Sequence, residues 1–595
     1  MTGLDWAVVA VYLIGTLAAG LALARRGSGS MVDFFVGGRT MPWWLAGTSM
    51  AATTFSIDTP LYVAGVVGTR GIAGNWEWWS FAVAHLLLLY LFARLWSRAE
   101  VVTDNELSEL RYGGRAAAVL RGMKGFLYAI VLGSIGIGLA MLAMVKVIEA
   151  LEILPGLGIE AGPSTRLWTV VVVAAFVLMY AGIAGLWGVV VTDFIQFVLG
   201  LLGAILVAVA AVSHLGGLGA LVRGVEAVEG VDLLAFTPLS FDGSTLWSTV
   251  AGISSTTFLA YVFVQWWAFR RSDGGGEFVQ RLAAARSEED AERAAWLFNL
   301  LHYVLRTWPW VIVALAAVVI YPDLPDRELG YPRLMLDFLP AGLLGLVVAS
   351  LIAAFMSTVS TLINWSASYL TSDVYVRFMR PEASDREQVL AGRVASVVVT
   401  ILGAAAAFQA ENVTTLFRLI IAVGTGPGAV LMLRWFWWRV NAWTELAAML
   451  AGFVIGLSTS VVPLLQIDDF GLRISVTAAL SAIVWIVVMW LTPPEDETTL
   501  NAFYRRVRPG GPGWERQRVA TGLPPAHPLG LDLARSAAGL ALLFGAMFAV
   551  GGALLLRPGV ALANTALAVV GWLCLRRLRV AGETKYWRAG EPTDH

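Results

Sequence analysis

Four hydroxyl side chains lie within five consecutive positions of a long apolar stretch, "AAFMSTVSTLIN". On a helix, Ser357, Thr358 and Thr361 share one face with Ala354, and Ser360 lies at its margin. Hydroxyl and carbonyl oxygens form a neutral cage that suits a monovalent cation better than Mg²⁺ or Ca²⁺, whose sites need carboxylates. The alternative is that these small residues let helices pack closely or bond to their own carbonyls.

A second polar group lies in the middle of "GTSMAATTFSIDTPLYVAGVVG", just before Pro60, and consists of Thr53, Thr54, Ser56, Asp58 and Thr59. Proline has no backbone N–H to donate, so a continuous helix is disfavoured here. Interrupted helices leave carbonyls and amides free, and transporters use them to bind cations and polar solutes. The sequence therefore predicts a broken membrane helix at this point.

Two acidic residues are candidates for function because a carboxylate is costly inside a membrane. Asp193 lies about five residues into an apolar run. It is either a functional group or a helix-start residue that favours the positive end of the helix dipole. Glu77, three residues before Ser80, is placed near the outer face, either to bind a polar solute or as an interfacial charge among tryptophans.

His302 and Arg306 form a polar stripe on an otherwise apolar helix in "WLFNLLHYVLRTWPW". A single membrane histidine is more often a packing residue than a ligand. A guanidinium at depth, however, needs an anionic partner, which would be Asp58, Glu77 or the solute itself. Arg418 raises the same question.

The elements that must hold these residues are membrane helices. The chain has 595 residues, of which 58% are hydrophobic and 14% charged, and this composition indicates a polytopic membrane protein. Its net charge of −1 gives no indication of nucleic-acid binding. One cysteine, Cys574, excludes an intramolecular disulfide framework. We expect about fifteen spanning helices, with the first apolar segment a spanning helix rather than a cleaved signal.

Basic loops predict the orientation. The segments "ARRGSGSMVDFFVGGR", "RYGGRAAAVLRGMKG" and "YRRVRPGGPGWERQR" fall on one side if the spans alternate. We therefore expect a multi-pass protein of the cell membrane, with the N-terminus outside and the C-terminus in the cytoplasm.

Four stretches, in order, resemble those of the solute:sodium symporter family. They are "DFFVGGRTMPWWLAG", "VTDNELSELRYGG", "EFVQRLAAARSEEDAERA" and "SLIAAFMSTVSTLINWSASYLTSDVY". The resemblance extends from about residue 5 to 492. It implies an all-α fold of the leucine-transporter type, with two inverted five-helix repeats and accessory helices. It also implies that the second repeat is interrupted within "GISSTTFLAYVFVQWW".

The implied organisation has seven parts. They are an N-terminal helix and signature loop (1–41), a first repeat (42–213), an extracellular loop (214–246), a second repeat (247–438), accessory helices (439–492), a cytoplasmic linker (493–530) and two further helices with a tail (531–595).

The resemblance further implies one sodium site and a possible second. The first is formed by the carbonyls of Ala52, Phe55 and Ala354 with the hydroxyls of Ser357 and Thr358. The second consists of Asp193, Ser360 and Thr361, which would give Asp193 its partner.

The implied solute site is less complete. Glu77 and Ser80 in "WEWWS" are similar to the sodium/sugar members, but Thr59 replaces their glutamine and His302 falls at or near their lysine. The candidate solute-binding residues are Asp58, Thr59, Glu77, Ser80, His302 and Arg306. Sugars, sugar acids, carboxylates and amino acids all remain open.

These features together predict a symporter that imports a small polar organic solute with sodium by alternating access. Its expected partners are the solute, sodium ions and the lipid bilayer, with no nucleic acid and no obligate protein partner. The alternatives are a solute sensor on the same fold and a proton-coupled transporter. A membrane enzyme is disfavoured because neither a metal cluster nor a nucleophile motif accompanies the polar residues.

Overall fold

The described part of the chain is built from helices. The computed structural model describes residues 1–24, 40–101, 104–153, 165–181, 186–239, 246–248, 250–269 and 271–587. Within these ranges the only β pairings are two isolated bridges. Part of the expected signature loop (33–39) and part of the expected extracellular loop (240–245) lie outside the described residues.

The helices of the first half are α1 (Gly3–Ala24), α2 (Trp43–Thr53), α3 (Asp58–Arg70), α4 (Trp76–Trp79), α5 (Ala82–Ala99), α6 (Glu106–Arg111), α7 (Gly114–Ala150), α8 (Thr165–Ala181), α9 (Leu186–Leu215) and α10 (Leu218–Glu226).

The helices that follow are α11 (255–268), α12 (Glu277–Ala283), α13 (Glu288–Ile320), α14 (Gly330–Phe338), α15 (Leu343–Met379), α16 (Asp385–Gln409), α17 (Val413–Gly424), α18 (Gly428–Phe436), α19 (Ala442–Val461), α20 (Phe470–Leu491), α21 (Glu497–Val507), α22 (Glu515–Thr521), α23 (Leu529–Leu554) and α24 (Pro558–Trp587).

Ten of the described helices are long and apolar enough to cross a membrane. The pair α17 and α18, bent by 42° at a short break, passes the same test as one unit and makes up to eleven. The expected all-α membrane architecture is confirmed. The count of about fifteen spans stays a prediction, because several helical segments are too short or too polar to qualify individually.

The helices around the predicted ion site pack closely because glycines leave room for their neighbours. A Cβ at Gly47 of α2 would lie 2.5 Å from the backbone oxygen of Ala294 in α13. A Cβ at Gly200 of α9 would lie 2.6 Å from the ring of Phe55. Helix α9 packs against both α2 and α15.

The interruption of the second repeat lies slightly later than the sequence predicts. The quoted stretch forms α11, which contains a π-helical turn at Tyr261–Gln265 but stays helical as far as Ala268. The chain then leaves the helix and re-enters one at Glu277. Gly274 and Gly276 have φ angles of +100° and +62°, a backbone conformation that glycine adopts without steric cost.

The segment predicted as a cytoplasmic linker contains helices α21 and α22, and it packs onto the rest of the protein. The buried guanidinium of Arg111 lies 5.3 Å from the ring centre of Phe503 and 4.8 Å from that of Trp514. The aromatic residues of this segment pack against the rest of the protein. The sequence suggests a linker because the segment is also rich in Pro, Gly and Arg.

The last two helices form a hairpin that packs onto α4, α5 and α13. Trp308 of α13 donates from Nε1 to the carbonyl of Met547 at 2.8 Å. The ring centre of Phe544 lies 5.2 Å from Trp76, and that of Phe548 lies 5.5 Å from Trp79. Helix α23 is therefore part of the folded body, whereas α24 packs mainly on α23.

Candidate cation and solute site

The predicted break in the second apolar segment is present. Helix α2 ends at Thr53 and α3 begins at Asp58. Pro60 lies in the first turn of α3, where a missing backbone N–H leaves no helical hydrogen bond unmade. The hydroxyl of Thr54 donates to the carbonyl of Ala51 at 3.0 Å, so a side chain takes up an oxygen at the open end of α2.

Two of the three predicted backbone ligands, Ala52 and Phe55, lie at this break. The carbonyl of Ala52 accepts a hydrogen bond from the backbone N–H of Phe55 at 2.8 Å. A carbonyl oxygen has two lone pairs, so this bond leaves it able to contact a cation as well. The hydroxyl of Thr59 accepts from the backbone N–H of Ser56 at 3.3 Å, which ties it to the start of α3.

Asp193 joins three helices at the centre of the site. Its carboxylate is fully buried and accepts hydrogen bonds from Ser49 of α2 and Ser357 of α15, each at 2.6 Å. Arg281 of α12 contacts the same carboxylate at 3.4 Å and donates from Nε to the Ser49 hydroxyl at 2.8 Å. The broken helix and the hydroxyl-rich helix therefore meet on one acidic group.

The other three hydroxyls of the cluster differ in their bonding. Ser360 donates to the carbonyl of Ser357 at 3.1 Å, a bond within its own helix. Thr358 and Thr361 each have a buried Oγ1 with no hydrogen-bond partner among the described residues. Buried polar atoms normally have a partner. These two oxygens therefore have free capacity for a ligand, and Ala354, one turn earlier, is buried beside them in α15.

Glu77 is held by arginines rather than facing an open space. Arg418 of α17 donates to both of its carboxylate oxygens at 2.9 Å, and Arg70 of α3 contacts it at 2.5 Å. The hydroxyl of Tyr261 donates to it at 3.0 Å. Gln265 donates to the backbone carbonyl of Glu77. One buried carboxylate thus connects α3, α4, α11 and α17.

His302 and Arg306 lie against the break in the second apolar segment. The Nδ1 atom of His302 is 3.0 Å from the hydroxyl of Thr54, and it also contacts the guanidinium of Arg306. Arg306 donates from Nη1 to the carbonyl of Ala51 at 2.9 Å. Its guanidinium carbon lies 5.3 Å from the ring centre of Trp310. The polar stripe on α13 therefore faces the open end of α2.

The remaining two solute candidates are Asp58 and Ser80. Asp58 opens α3 and is partly buried. The Oγ of Ser80 is buried and has no hydrogen-bond partner in the part of the chain that the structure describes.

Five residues of the site were not predicted. They are Ser49, Arg281, Arg70 and Tyr261, and Gln265 is the fifth through its bond to the backbone of Glu77. Ser49 could have been found, because it precedes Thr53 by one turn on the same helix, and Arg281 lies within the loop motif quoted for the resemblance. Arg70 and Tyr261 reach Glu77 only through tertiary packing, which no local spacing indicates.

The site combines an interrupted helix with a hydroxyl-rich helix, and a buried carboxylate joins the two. This arrangement is typical of cation-coupled secondary transporters. A family profile described as "SSF: Sodium:solute symporter family" matches residues 34–452. The chain therefore belongs to the sodium:solute symporter family. It is a multi-pass membrane transporter that couples movement of a solute to sodium, and it is not an enzyme.

Similarity to curated proteins extends over most of the chain. A sodium/glucose cotransporter of Vibrio parahaemolyticus is 26% identical over 486 residues, covering 78% of this chain and 86% of that protein. The sodium/glucose cotransporter 2 of Rattus norvegicus is 27% identical, with 76% and 71% covered. The sodium/myo-inositol cotransporter 2 of Mus musculus is 24% identical, with 89% and 82% covered.

Among solved structures, a Na⁺-coupled sialic acid symporter in a substrate-bound outward-open state superposes with a TM-score of 0.63. The two chains are 21% identical, and the match covers 83% of this chain and 99% of the other. This similarity confirms the fold that the resemblance implied.

Proposed function

We propose that this chain imports a small polar organic solute together with sodium by alternating access. One observation carries the proposal: Ser49 of the broken helix and Ser357 of α15 donate to the same buried carboxylate, Asp193. Oxygen atoms of two distant segments therefore converge, as a shared cation site requires. A cation held between α2 and α15 favours the conformation in which these helices are close, which is how an ion biases a conformational equilibrium.

The first sodium ion binds the carbonyls of the break and the hydroxyl face of α15. Its ligands are the carbonyl oxygens of Ala52, Phe55 and Ala354 and the hydroxyls of Ser357 and Thr358. The unbonded Oγ1 of Thr358 supports this assignment, because a cation would supply the partner that the described residues do not.

A second sodium ion binds Asp193 with the hydroxyls of Ser360 and Thr361. The unbonded Oγ1 of Thr361 supports it in the same way. Arg281 competes for this site, because its guanidinium already contacts the Asp193 carboxylate. Sodium binding here therefore weakens the contact between Arg281 of α12 and Asp193 of α9. In this way, binding of the ion is linked to movement of α12.

The solute binds between the break and the ion pairs of Glu77 with Arg70 and Arg418, which we call the outer cluster. Its contacts come from Asp58, Thr59, Ser80, His302 and Arg306. Glu77 joins them only when α17 moves away, because Arg418 now occupies both oxygens of its carboxylate. We therefore propose that the Glu77–Arg418 pair closes the outer side of the site after solute and sodium have entered.

The transport cycle follows from these contacts. Sodium favours the outward-open state, the solute closes the outer side, and inward opening releases both. Each ligand binds one state better than the other, and this difference is the source of coupling. The membrane potential contributes about 2.3 kcal/mol for each charge moved per 100 mV.

We propose that the protein lies in the cell membrane with its N-terminus outside and its C-terminus in the cytoplasm, and that it has the seven-part organisation given above. The basic loops support this orientation. No obligate protein partner is needed for the cycle.

Uptake into proteoliposomes tests the proposal. The purified full chain is reconstituted, and accumulation of labelled hexoses, hexuronates, N-acetylneuraminate and amino acids is measured under inward sodium, potassium or proton gradients. We expect accumulation of at least one solute with the sodium gradient alone, increased by an inside-negative potential. Accumulation driven by the proton gradient would replace sodium coupling with proton coupling, and binding without accumulation would indicate a sensor.

A further inference from the structure

Arg306 is a buried cation whose contacts are all with neutral groups. Only 1% of its surface is exposed. Its guanidinium contacts the carbonyl of Ala51, the ring of His302 and the faces of Phe55 and Trp310. Among the described residues, no carboxylate oxygen forms an ion pair with it within 4.0 Å. A charge buried in this way needs compensation.

Other buried arginines of the chain are compensated. Arg434, 2% exposed, contacts the carboxylates of Asp273 at 2.6 Å and Glu445 at 3.0 Å. Arg281, 1% exposed, contacts the carboxylate of Asp193. Arg111, also fully buried, is instead held by four backbone carbonyls, whereas Arg306 donates to one. Arg306 is therefore the least compensated of these four guanidiniums, and it lies at the proposed solute site.

Two N–H donors at this position have no acceptor. The Nε of Arg306 and the Nε1 of Trp310 are both buried and form no hydrogen bond within the described chain. Their side chains contact each other, with the guanidinium carbon 5.3 Å from the ring centre. Both groups only donate, so the ligand that satisfies them must present hydrogen-bond acceptors, and an anionic oxygen is the strongest acceptor for a guanidinium.

A purely structural role explains part of this geometry. By donating to the carbonyl of Ala51, Arg306 compensates the negative end of α2. That contact uses one of five N–H donors and leaves a full positive charge on the guanidinium. Asp58 influences this charge electrostatically but does not form an ion pair with it. The position of Arg306 at the solute site therefore still requires an explanation.

We propose that the transported solute carries an anionic oxygen group, a carboxylate in the simplest case, which binds Arg306 beside the break between α2 and α3. The outer cluster is consistent with this, because two arginines, Arg70 and Arg418, surround the single carboxylate of Glu77. The three side chains together therefore carry a net positive charge. This inference rests on the proposed symport function and adds the chemical class of its solute.

The same geometry links the anion to sodium. Arg306 bonds the carbonyl of Ala51, the residue next to the assigned sodium ligand Ala52. Its positive charge therefore disfavours sodium in the empty site, and a bound carboxylate removes that repulsion. By reciprocity, each ligand raises the affinity of the other by the same factor, which for charges several ångströms apart in a protein is on the order of tenfold.

Thermal unfolding of the purified full chain in detergent tests the inference. Melting temperatures are measured in sodium and in potassium with matched pairs: glucuronate and glucose, galacturonate and galactose, and N-acetylneuraminate and N-acetylmannosamine. The variants are Arg306→Gln, Arg306→Lys and the control Arg293→Gln, an exposed arginine of the same helix, α13. The chloride concentration is varied in a parallel series without solute, because an inorganic anion could occupy the same guanidinium.

We expect at least one acid to stabilise the protein more than its uncharged partner, and more in sodium than in potassium. Arg306→Gln should raise the half-saturating acid concentration about tenfold or more and lower the sodium concentration needed without solute by a similar factor. Arg306→Lys should keep part of the acid response, and Arg293→Gln should resemble the wild type. A residue with only a structural role would not increase sodium affinity when removed.

The inference is overturned if an uncharged sugar binds at least as well as its acid, if no acid stabilises the protein, if chloride alone reproduces the effect, or if Arg306→Gln keeps the acid preference. Sodium coupling is judged separately from the acid. Stabilisation by sodium without any acid preference refutes only the anionic solute, whereas acid binding that is equal in sodium and potassium supports the anion and refutes sodium coupling.

Discussion

Ser357 and Ser350 are two buried serines of the same helix, α15, with different partners. Ser357 donates to the carboxylate of Asp193, whereas Ser350 donates to the carbonyl of Val347 in its own helix. Only the first bond connects separate segments of the chain. The two residues therefore form a matched pair for testing the ion site.

We predict that Ser357→Ala raises the sodium concentration for half-maximal uptake by about tenfold, because a hydrogen bond to a charged group contributes about 1.5 kcal/mol or more. Thr358→Ala should also raise the sodium concentration for half-maximal uptake. Ser350→Ala should leave it unchanged. The measurement is solute uptake into proteoliposomes as a function of sodium, and an unchanged sodium dependence in both site variants would remove the assigned site.

Glu77→Gln should strongly destabilise the protein. The substitution leaves Arg70 and Arg418 without their carboxylate. Because these arginines are 18% and 28% exposed, the cost falls at or below the lower end of the range for a fully buried pair, about 3 kcal/mol. The control is Glu289→Gln, which removes an exposed pair with Arg293 that contributes about 0.3–0.5 kcal/mol. Melting temperatures in detergent check the prediction. Equal decreases in melting temperature in the two variants would show that the ion pairs of Glu77 stabilise the protein no more than the exposed pair does.

At the scale of the helices, the bend between α17 and α18 is packed directly against α19. A Cβ at Gly452 would lie 2.0 Å from the carbonyl oxygen of Thr425, just before the bend. This distance is far below a normal contact, so α19 must approach the bend through glycine. The geometry of the bend and the packing of the accessory helices are therefore linked.

We predict that Gly452→Ala lowers stability by about 1–3 kcal/mol, as overpacking of a close contact does, and reduces the rate of uptake. Gly530→Ala is the control, because a Cβ there would meet nothing within 4 Å. Melting temperature and initial uptake rates of both variants are compared with the wild type. An unchanged melting temperature of Gly452→Ala would show that α19 can move away from the bend between α17 and α18 without loss of stability.

The two helix breaks also show what sequence could and could not predict. The break before Asp58 was predicted because Pro60 and the hydroxyl residues act locally on the backbone. The second break was placed a few residues early, although Gly274 and Gly276 marked its position. The partners of Glu77 and the contact of Arg281 with Asp193 could not be predicted, because they depend on how distant helices pack.

At the scale of the whole molecule, orientation can be tested with cysteines, because Cys574 is the only cysteine of the chain. In a Cys574→Ser background, we predict that Asp323→Cys reacts with an impermeant maleimide on intact cells. Val519→Cys, 78% exposed on α22, should react only after the cells are opened. The reverse pattern would invert the orientation inferred from the basic loops.

The contacts of the C-terminal hairpin have a consequence for turnover. Trp308 and the rings near Trp76 attach α23 to α13 and α4, which line the proposed outer side of the site. If these helices shift in the proposed cycle, α24, with its exposed Leu562 and Val570, moves through the surrounding lipid with them. The cycling rate would then depend on the fluidity of the bilayer.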